Sequence, residues 1–433
     1  MKRGISKSKV FFWLCIVALI CCALYSAFAS IDRNYPYDTK VHFTGFVAAE
    51  PDVRMDGVRY TIQTKAYGNV YTKYALFPRF YYGDMLDVSC KLTKPEQIED
   101  FAYDKYLARY DMFAICDNAT INKIGEGSGN SAMRTILKLK ESVAERIRIL
   151  WQEPHASFMA GLLYGYRGGL GSLNDLFSAT GVTHIVAISG YNISIVSAIL
   201  MKICTYMLIP RKKAFWCIVV GIIGFLIFAG LSASVVRAGV MGIIVLLAGQ
   251  MGRKSRVLNV LVLTATIMAI SNPYILLYDA GFQLSFISTI GLIYLSPKIE
   301  KYFTKVPEKF ALRESVTSTF SAIIATLPLI LFQFKRLSIV APLVNVLILW
   351  LIPWIMAIGF FAVILSYIFM PLGIALSWIA YMAMEYIIRV VTFFAHIPFA
   401  TFDFQIPIYV MIVGYAMLFI IMRKRKKAVS TQL

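Results

Sequence analysis

Hydrogen-bonding residues interrupt one otherwise apolar stretch of the sequence, residues 181–200. At about 100° per residue, a helix through this stretch would place His184, Ser189 and Asn192 within an arc of roughly 140°. Such a face needs water or protein as its partner, because lipid tails offer no hydrogen bonds. Gly190, which lies between them, lets another backbone approach closely. We therefore predict that these four residues line or contact a transport path.

Catalysis is the other chemistry to weigh, because Ser189 stands beside Gly190. The sequence contains no Gly-x-Ser-x-Gly elbow, and His184 would lie on a different part of a helix from Ser189. It also contains no Gly-x-x-x-x-Gly-Lys-Ser/Thr loop and no Cys-x-x-Cys, and its four histidines are widely separated. We therefore predict no enzymatic activity, no metal site and no cofactor.

Polar residues also interrupt apolar stretches further along the chain. Asp279 and Gln283 follow helical spacing and share one face, so we expect both at the path. Asn345 stands between two prolines, which indicates a broken helix, and it either lines a cavity or braces two helices. Glu385 and Arg389 are four residues apart on one predicted helix and can neutralise each other.

Composition indicates that membrane helices hold these residues. The chain has 433 residues, 58% of them apolar, and a mean hydropathy of +0.67. Many apolar runs are long enough to cross hydrocarbon, which is typical of a polytopic α-helical membrane protein. We predict about ten spans: an N-terminal anchor, then 182–209, 214–231, 235–250, 257–272, 279–296, 316–334, 340–369, 372–397 and 407–422.

The formal net charge of +19 suggests a nucleic-acid ligand, but most of it has a topological explanation. Cytoplasmic loops collect Lys and Arg. If the N-terminus is cytoplasmic, the basic clusters at 211–213, 253–256, 298–313 and 423–427 all lie inside. Arg237, Lys335 and Arg336 fall toward the outer face instead. These cations either offset an anionic substrate or snorkel at span ends, with an Arg237–Asp279 ion pair.

An exported polar segment precedes most of the spans. Residues 1–31 read as a signal anchor, which we expect to stay uncleaved although Ala27-Phe28-Ala29 resembles a cleavage site. Alternating stretches at 41–48, 58–64, 69–76, 85–90 and 113–121, with a helix near 101–109, predict a small OB-type β-barrel in residues 32–125. Cys90 and Cys116 could form a disulfide there if the barrel faces an oxidising compartment.

The barrel segment has 12 Lys/Arg and 13 Asp/Glu and is therefore close to neutral. A single-strand binder usually combines a basic groove with stacking aromatic residues. Seven aromatic residues could stack on bases, with Lys73 and Arg79 supplying charge: Tyr67, Tyr71, Tyr74, Phe77, Phe80, Tyr81 and Tyr82. The alternative is that these rings are core and edge residues of the barrel.

Residues 131–181 follow a Gly/Ser-rich linker and are predicted to lie at the membrane surface. Residues 133–151 read as a basic amphipathic helix. Residues 156–171 are too short and glycine-rich for a simple span, so we expect an interfacial or re-entrant segment. The spans then occupy 182–422, and residues 423–433 form a basic cytoplasmic tail.

Several of these stretches resemble the ComEC competence family. Residues 181–190, Gly-Val-Thr-His-Ile-Val-Ala-Ile-Ser-Gly, resemble its Gly-Leu-x-His-Leu-Leu-Ala-Ile-Ser-Gly signature. Residues 232–238 resemble its small-residue-then-Arg element, and residues 272–286 its Asn-Pro…Asp-x-Gly-Phe-Gln-Leu-Ser-Phe block. Residues 326–345 resemble its Leu-Pro…Ser…Asn block, and residues 103–109 the end of its OB-type domain. Many members have Leu-His where this sequence has Tyr191-Asn192, so a hydrogen-bonding group is kept and a titratable one is lost.

The resemblance implies a channel for single-stranded DNA in the cytoplasmic membrane during natural transformation. Its implied partners are an external DNA receptor and a cytoplasmic helicase-type motor. Many members also carry a metallo-β-lactamase-like domain after the spans, and this chain is expected to be a short form without it. One chain or a homo-oligomer could enclose the path. The alternative function is a permease or exporter for another anionic substrate, with a purely structural barrel.

Overall fold

The structure, a computed structural model, describes residues 7–29, 33–54, 56–97, 102–166, 168–186, 190–251, 256–304 and 312–423. The chain divides into two compact units. Unit 1 comprises Met1–Arg146, Tyr164–Gly169 and Ile188–Phe282. Unit 2 comprises Ile147–Leu163, Leu170–Ala187 and Gln283–Leu433.

Unit 1 contains the predicted OB-type barrel. Its strands are β1 (Lys40–Val47), β2 (Asp52–Arg54), β3 (Gly57–Thr64), β4 (Gly68–Tyr74), β5 (Met85–Thr93) and β6 (Met112–Gly125). Strand β1 pairs with both β3 and β5, β3 pairs with β4, and β5 pairs with β6. A parallel pairing of β4 with β6 closes the ring of five strands. The five predicted strands are thus confirmed, whereas β2, a short strand added along β3, was not predicted.

Alternation of side chains fills the barrel. On β3, Val58, Tyr60 and Ile62 are buried and the residues between them are not, as the period of two in a strand requires. The predicted helix is α2 (Tyr103–Ala108), between β5 and β6. Cys90 on β5 and Cys116 on β6 are joined by a disulfide, with Cα atoms 5.6 Å apart, inside this core.

The remaining helices of unit 1, apart from α3, pack in a continuous series. They are α1 (Lys7–Phe28), α3 (Ser131–Leu150, up to Arg146), α6 (Gly190–Tyr206), α7 (Arg211–Phe228), α8 (Ala233–Gln250), α9 (Val257–Ser271) and the short α10 (Ile275–Tyr278). Helices α6, α7 and α8 pack on one another, α8 packs on α9, and α9 packs on α1. At Gly239 on α8, a Cβ would lie 2.6 Å from Leu226 of α7, so glycine permits this close approach.

Helix α3 contacts the barrel through polar groups. Lys140 is buried, and its Nζ lies 2.6 Å from Glu50 Oε2 and 5.1 Å from the centroid of the Tyr164 ring. Leu139 and Ile149 on the same helix are exposed. An amphipathic helix was predicted here, and its polar side thus contributes contacts within unit 1.

Unit 2 consists mostly of helices. They are α4 (His155–Tyr164), α5 (Ser172–Ala179), α11 (Ala280–Ile299), α12 (Leu312–Gln333), α13 (Ala341–Ile348), α14 (Ile352–Ile368), α15 (Met370–Ala395) and α16 (Ile408–Arg423). A two-stranded antiparallel sheet joins β7 (Arg336–Ser338) to β8 (Thr401–Asp403). Helix α12 packs on α13 and α16, and α15 packs on α5, α13 and α14. The break predicted near Asn345 is confirmed, because α13 and α14 meet at an angle of 47°.

Five helices of the described residues are long and apolar enough to cross a membrane, within Val10–Phe28, Ala233–Gln250, Ala280–Tyr302, Arg313–Gln333 and Met370–Ala395. The bent pair α13 and α14 makes a sixth if it counts as one span. Each of the ten predicted spans contains a helix, but several of these helices are shorter than a full crossing. The architecture is that of a helical membrane protein with an N-terminal OB-type barrel.

Candidate functional site

The stretch 181–200 does not form the single helix expected from its periodicity. Thr183–Ile185 form one turn of 3₁₀-helix, Val186 follows in a turn, and α6 begins at Gly190. A common helical face for His184 and Asn192 is therefore wrong, because the two residues lie on separate elements. His184 is exposed and Asn192 is buried. Ser189 lies outside the described residues.

The first half of the signature packs against the start of α13 in unit 2. Gly181 has φ +69°, and a Cβ there would lie 2.7 Å from the Ala341 Cβ and 3.1 Å from the Ser338 Cβ. Only glycine fits this combination of a left-handed backbone and a close neighbour. Asn345 stands one helical turn after Ala341 on the same face. We call Gly181, Ser338, Ala341 and Asn345 the signature junction.

Two polar atoms of the signature junction are buried without hydrogen-bond partners among the described residues, Ser338 Oγ and Asn345 Oδ1. The Asn345 side chain is only 3% exposed. An unsatisfied buried polar group costs roughly 1–3 kcal/mol, so such groups are often found where a ligand or water supplies the missing bond. The sequence pointed to Asn345 as a cavity residue or a brace, and both roles stay predictions.

The second half of the signature contacts α8 in unit 1. A Cβ on Gly190 would lie 3.7 Å from the Ala238 Cβ and 4.0 Å from Arg237 Nη2. The structure therefore brings Gly190 and Arg237, predicted separately, next to each other. Arg237 also extends along its own helix, where Nη1 lies 3.6 Å from Met241 Sδ.

Asp279 pairs with Arg109 rather than with Arg237, the partner considered from the sequence. Its carboxylate forms an ion pair with Arg109, at the end of α2, and its Oδ1 accepts a hydrogen bond of 3.1 Å from the Phe282 backbone N–H. An Arg237–Asp279 pair is therefore not what the structure contains. The predicted path residue instead caps the start of α11 and holds the barrel helix α2.

The contact between α2 and the segment around α10 extends beyond this pair. The Asn272 side-chain amide donates to the Arg109 carbonyl oxygen at 2.5 Å, and Lys105 Nζ donates to Tyr278 Oη at 2.9 Å. The Arg109 guanidinium lies 4.6 Å and 4.3 Å from the ring centroids of Tyr106 and Tyr110. Two blocks of the predicted resemblance, 103–109 and 272–286, thus bind each other. We call this contact the α2 anchor.

Gln283 hydrogen-bonds a residue that the sequence analysis missed. Gln333 Nε2 at the end of α12 donates to Gln283 Oε1 on α11 at 2.6 Å. Gln333 Oε1 is buried without a partner among the described residues. In the sequence, Gln333 could have been picked out only by its position, at the end of an apolar helix and two residues before Lys335.

The remaining predicted cations lie at the small sheet of unit 2. Arg336 Nε lies 3.1 Å from Asp403 Oδ1, across the pairing of β7 with β8, and both side chains are exposed. Lys335 has φ +56°, an uncommon conformation for a residue with a side chain. Three exposed phenylalanines flank the same strands, Phe399, Phe402 and Phe404.

Glu385 joins two partners rather than one. Its Oε1 accepts from Arg389 Nε at 2.7 Å, as the spacing predicted, and its Oε2 lies 2.9 Å from His155 Nε2. The His155 ring is buried and lies 4.4 Å from the centroid of the Tyr381 ring. His155 was missed because its partner is remote in sequence.

Most of the seven aromatic residues proposed for base stacking belong to the barrel itself. Phe80 is buried, and Tyr67 and Tyr74 pack against the core. Burial raises the pKa of Tyr71, whose hydroxyl bonds to Tyr103. The Tyr82 hydroxyl accepts a hydrogen bond from the Asn130 backbone N–H. Phe77 and Tyr81 are left as exposed rings.

The arrangement suits hydrogen bonding and weak binding of a polar solute. Buried amides occur in both units, and they come from residues on apolar helices. Among the described residues, no three His, Cys, Asp or Glu side chains are grouped so that they could hold a metal ion.

Comparison with known proteins identifies the family. The profile described as "Competence protein" matches residues 162–427. ComE operon protein 3 of Bacillus subtilis (strain 168) is 31% identical over 171 residues, which covers 40% of this chain but 21% of the relative's length. No solved structure shows significant similarity. The resemblance to the ComEC competence family is confirmed: since the profile covers more than half of the sequence, the chain belongs to the Competence protein family.

Proposed function

We propose that this chain takes part in the uptake of DNA by competent cells and forms the path of one DNA strand across the cytoplasmic membrane. The match of residues 162–427 to the Competence family carries the proposal. The apolar helices support a membrane location. The buried amides support passage of a polar polymer rather than of an apolar solute.

The polar groups on apolar helices suit a moving strand. Asn345 Oδ1 and Gln333 Oε1 are buried acceptors, and base amino groups or the water that accompanies a strand can donate to them. Neutral amides bind such donors weakly, so a strand can enter and leave each contact. Asn192 and Gln283 add further amides to this set of groups.

The phosphates need positive charge where they approach a low-dielectric path. Arg237, Lys335 and Arg336 are assigned this role because their predicted outer position is not explained by the topological bias of cations. We also assign path roles to His184, which is exposed on its 3₁₀ turn, and to Gly190, which lies beside Arg237.

The proposed division of labour leaves energy and degradation to other proteins. An external receptor would deliver DNA to the barrel, and a helicase-type motor inside would pull the strand. The chain would act as a channel without enzymatic activity. Both termini would lie in the cytoplasm and the barrel outside.

Uptake of labelled DNA by deletion and complemented cells tests the function. We expect the deletion strain to bind DNA outside but to import none, and the complemented strain to import it. Normal transformation without the gene would contradict the proposal and favour a permease for another anionic substrate.

Cysteine labelling tests the orientation. In a background without the five free cysteines, Lys65→Cys on the barrel should react with a membrane-impermeant reagent in intact cells. Lys212→Cys at the start of α7, in the basic cluster predicted to be cytoplasmic, should react only after the membrane is opened. The reverse pattern would overturn the topology.

A further inference from the structure

Residues 75–84, which connect β4 to β5, contain two exposed aromatic residues, Phe77 and Tyr81, with Arg79 between them in the sequence. The Phe77 side chain is 73% exposed and that of Tyr81 is 51% exposed. The Arg79 guanidinium lies over the Phe77 ring, 5.1 Å from its centroid. We call Phe77, Arg79 and Tyr81 the barrel-loop platform.

Contacts with the barrel core hold the loop 75–84 that carries the platform. Phe80, in the middle of it, is buried against Tyr60 and Tyr74, with ring centroids 5.6 Å and 5.8 Å away. Its backbone N–H donates to Tyr60 Oη at 3.2 Å. The Phe80 side chain therefore anchors the loop in the barrel core while its neighbours Arg79 and Tyr81 point outward.

The far end of the loop is fixed as well. The buried Asp84 carboxylate accepts a hydrogen bond of 2.9 Å from the Tyr81 backbone N–H. The other carboxylate oxygen lies 3.0 Å from Lys123 Nζ on β6. A loop held at both points loses little entropy when a ligand binds, so the exposed rings are preorganised.

Arg79 differs from five other basic residues of the barrel, which lie within ion-pair distance of barrel carboxylates: Arg54, Arg59, Lys73, Lys91 and Lys123. Arg79 instead stacks on a ring. Arg33 also lies over a ring, that of the partly buried Phe113. A guanidinium on an aromatic face is a flat surface that carries positive charge, which matches the two features of a nucleotide, a flat base and an anionic phosphate.

We propose that the barrel-loop platform is a binding site for single-stranded nucleic acid, in which bases stack on Phe77 and Tyr81 and a phosphate pairs with Arg79. This deepens the proposed function, because it assigns the external contact with the strand to three residues. It also accounts for a near-neutral barrel, since a stacking site needs one local cation rather than a basic surface.

Binding of a fluorescent oligothymidylate to the full-length chain in lipid nanodiscs tests the site, with anisotropy measured at fixed ionic strength. Phe77→Ala should weaken binding roughly tenfold or more, because stacking contributes strongly to each contacted base. Phe77→Trp should bind as the unchanged chain does, and Phe77→Leu should be as weak as Phe77→Ala. Arg79→Gln should reduce the dependence of affinity on salt by about one phosphate contact.

Two control variants remove comparable groups from the same barrel. Ile124→Ala truncates an apolar side chain that is 57% exposed on β6, and Lys65→Gln removes an exposed cation. Neither should change the affinity. Full binding by Phe77→Ala would overturn the site. Full binding by Phe77→Leu would overturn it too, because it would show that the ring serves as an apolar group toward lipid.

The outcomes for this site and for the proposed function can be separated. A deletion strain that fails to import DNA, with Phe77→Ala binding at full strength, would overturn the site alone. A deletion strain that transforms normally, with binding lost in Phe77→Ala, would overturn the uptake function and leave a nucleic-acid site.

Discussion

Asp279 illustrates how a buried charge is accommodated at the scale of single residues. Its side chain is 11% exposed and that of its partner Arg109 is 10% exposed. Removing a charge from water is costly, and a buried pair persists only if each member is paired and hydrogen-bonded. The Phe282 N–H and the flanking Tyr106 and Tyr110 rings add to these contacts, whereas Arg109 Nε is buried without a hydrogen-bond partner among the described residues.

Breaking the α2 anchor should destabilise the protein strongly. We expect Arg109→Ala to cost about 3–5 kcal/mol, because it leaves the Asp279 carboxylate buried without its cation. Thermal unfolding of the purified chain in detergent measures the loss. The exposed pair Arg336–Asp403 is the matched control, and Arg336→Ala should cost no more than about 1 kcal/mol. Equal losses in the two variants would contradict a structural role for Asp279.

Gly181 offers a second test at the residue scale. Gly181→Ala adds a Cβ at φ +69° and 2.7 Å from the Ala341 Cβ, so both strain and overlap oppose it. We expect a loss of about 3 kcal/mol or more, seen as reduced accumulation in the membrane and a lower unfolding temperature.

Gly230→Ala separates the two causes. Gly230 has φ +82°, but a Cβ there would have nothing within 4 Å, so the variant adds strain without overlap. The loss of stability caused by Gly230→Ala should be about 1 kcal/mol. If both variants accumulate equally, close packing at the signature junction has no energetic importance.

The sequence allowed unusual residues to be picked out, but it did not allow their contacts to be predicted. The sequence pointed to Gly190, Arg237, Gln283 and Asn345 because such residues are out of place among apolar neighbours. It could not identify Arg109 as the partner of Asp279, because that contact joins a barrel helix to a loop that is distant in sequence. Local spacing predicts neighbours three or four residues apart and no others.

At the scale of elements, the corner where α3 leads into α4 is fixed to α15 by polar groups. Trp151 Nε1 donates to the Ser377 carbonyl oxygen at 3.0 Å, and His155 Nε2 lies 2.9 Å from Glu385 Oε2. The glycine-rich segment after Trp151 was predicted as interfacial or re-entrant. The structure gives this segment the short helix α4, and α5, which follows the segment, packs on α15.

The two partners of Glu385 should contribute unequally. The His155 side chain is 9% exposed and that of Arg389 is 79% exposed, although both contact the same carboxylate. We expect His155→Ala to cost about 1–3 kcal/mol, because it removes a buried ring together with its hydrogen bond to a carboxylate. Arg389→Ala should cost only about 0.5 kcal/mol, as exposed pairs four apart on a helix do. A larger loss for Arg389→Ala in detergent unfolding would refute this assignment.

The disulfide between Cys90 and Cys116 is a second contact that stabilises the arrangement of elements. It joins β5 to β6 at a sequence separation of 26, and closing a loop of that length stabilises a domain by about 3 kcal/mol. Alkylation of the denatured chain should modify five cysteines before reduction and all seven after it. Cys90→Ala should lower the resistance of the barrel to proteolysis, whereas Cys21→Ala should not. Seven reactive thiols before reduction would contradict the bond.

Periodicity explains which elements could be predicted. The barrel strands alternate, so five of six were found, and β2 was missed because three residues are too few for a pattern. Every predicted span contains a helix because apolar length is a strong signal. The start of α6 at Gly190 was not predicted, because an apolar run carries no mark of the residue at which a helix begins.

At the scale of the whole molecule, charge distinguishes topology from function. Most of the formal charge of +19 lies in clusters that the positive-inside rule explains, so removing members of those clusters should not affect transport. In the predicted topology, Arg237 and Lys335 fall outside that rule. The function proposed for each of them is to offset the charge of DNA phosphates.

Replacing both cations tests that prediction. Arg237→Gln combined with Lys335→Gln keeps polar side chains of moderate size but removes two positive charges. We expect import of labelled DNA to fall about tenfold or more, since charge-assisted bonds to phosphate are among the stronger polar contacts. Protein level in the membrane should stay unchanged. The matched control, Lys212→Gln combined with Lys213→Gln, removes two exposed cations on the predicted cytoplasmic side and should import DNA normally. Undiminished import by the first variant would mean that Arg237 and Lys335 are membrane anchors, and the strand's charge would then have to be offset elsewhere along its path.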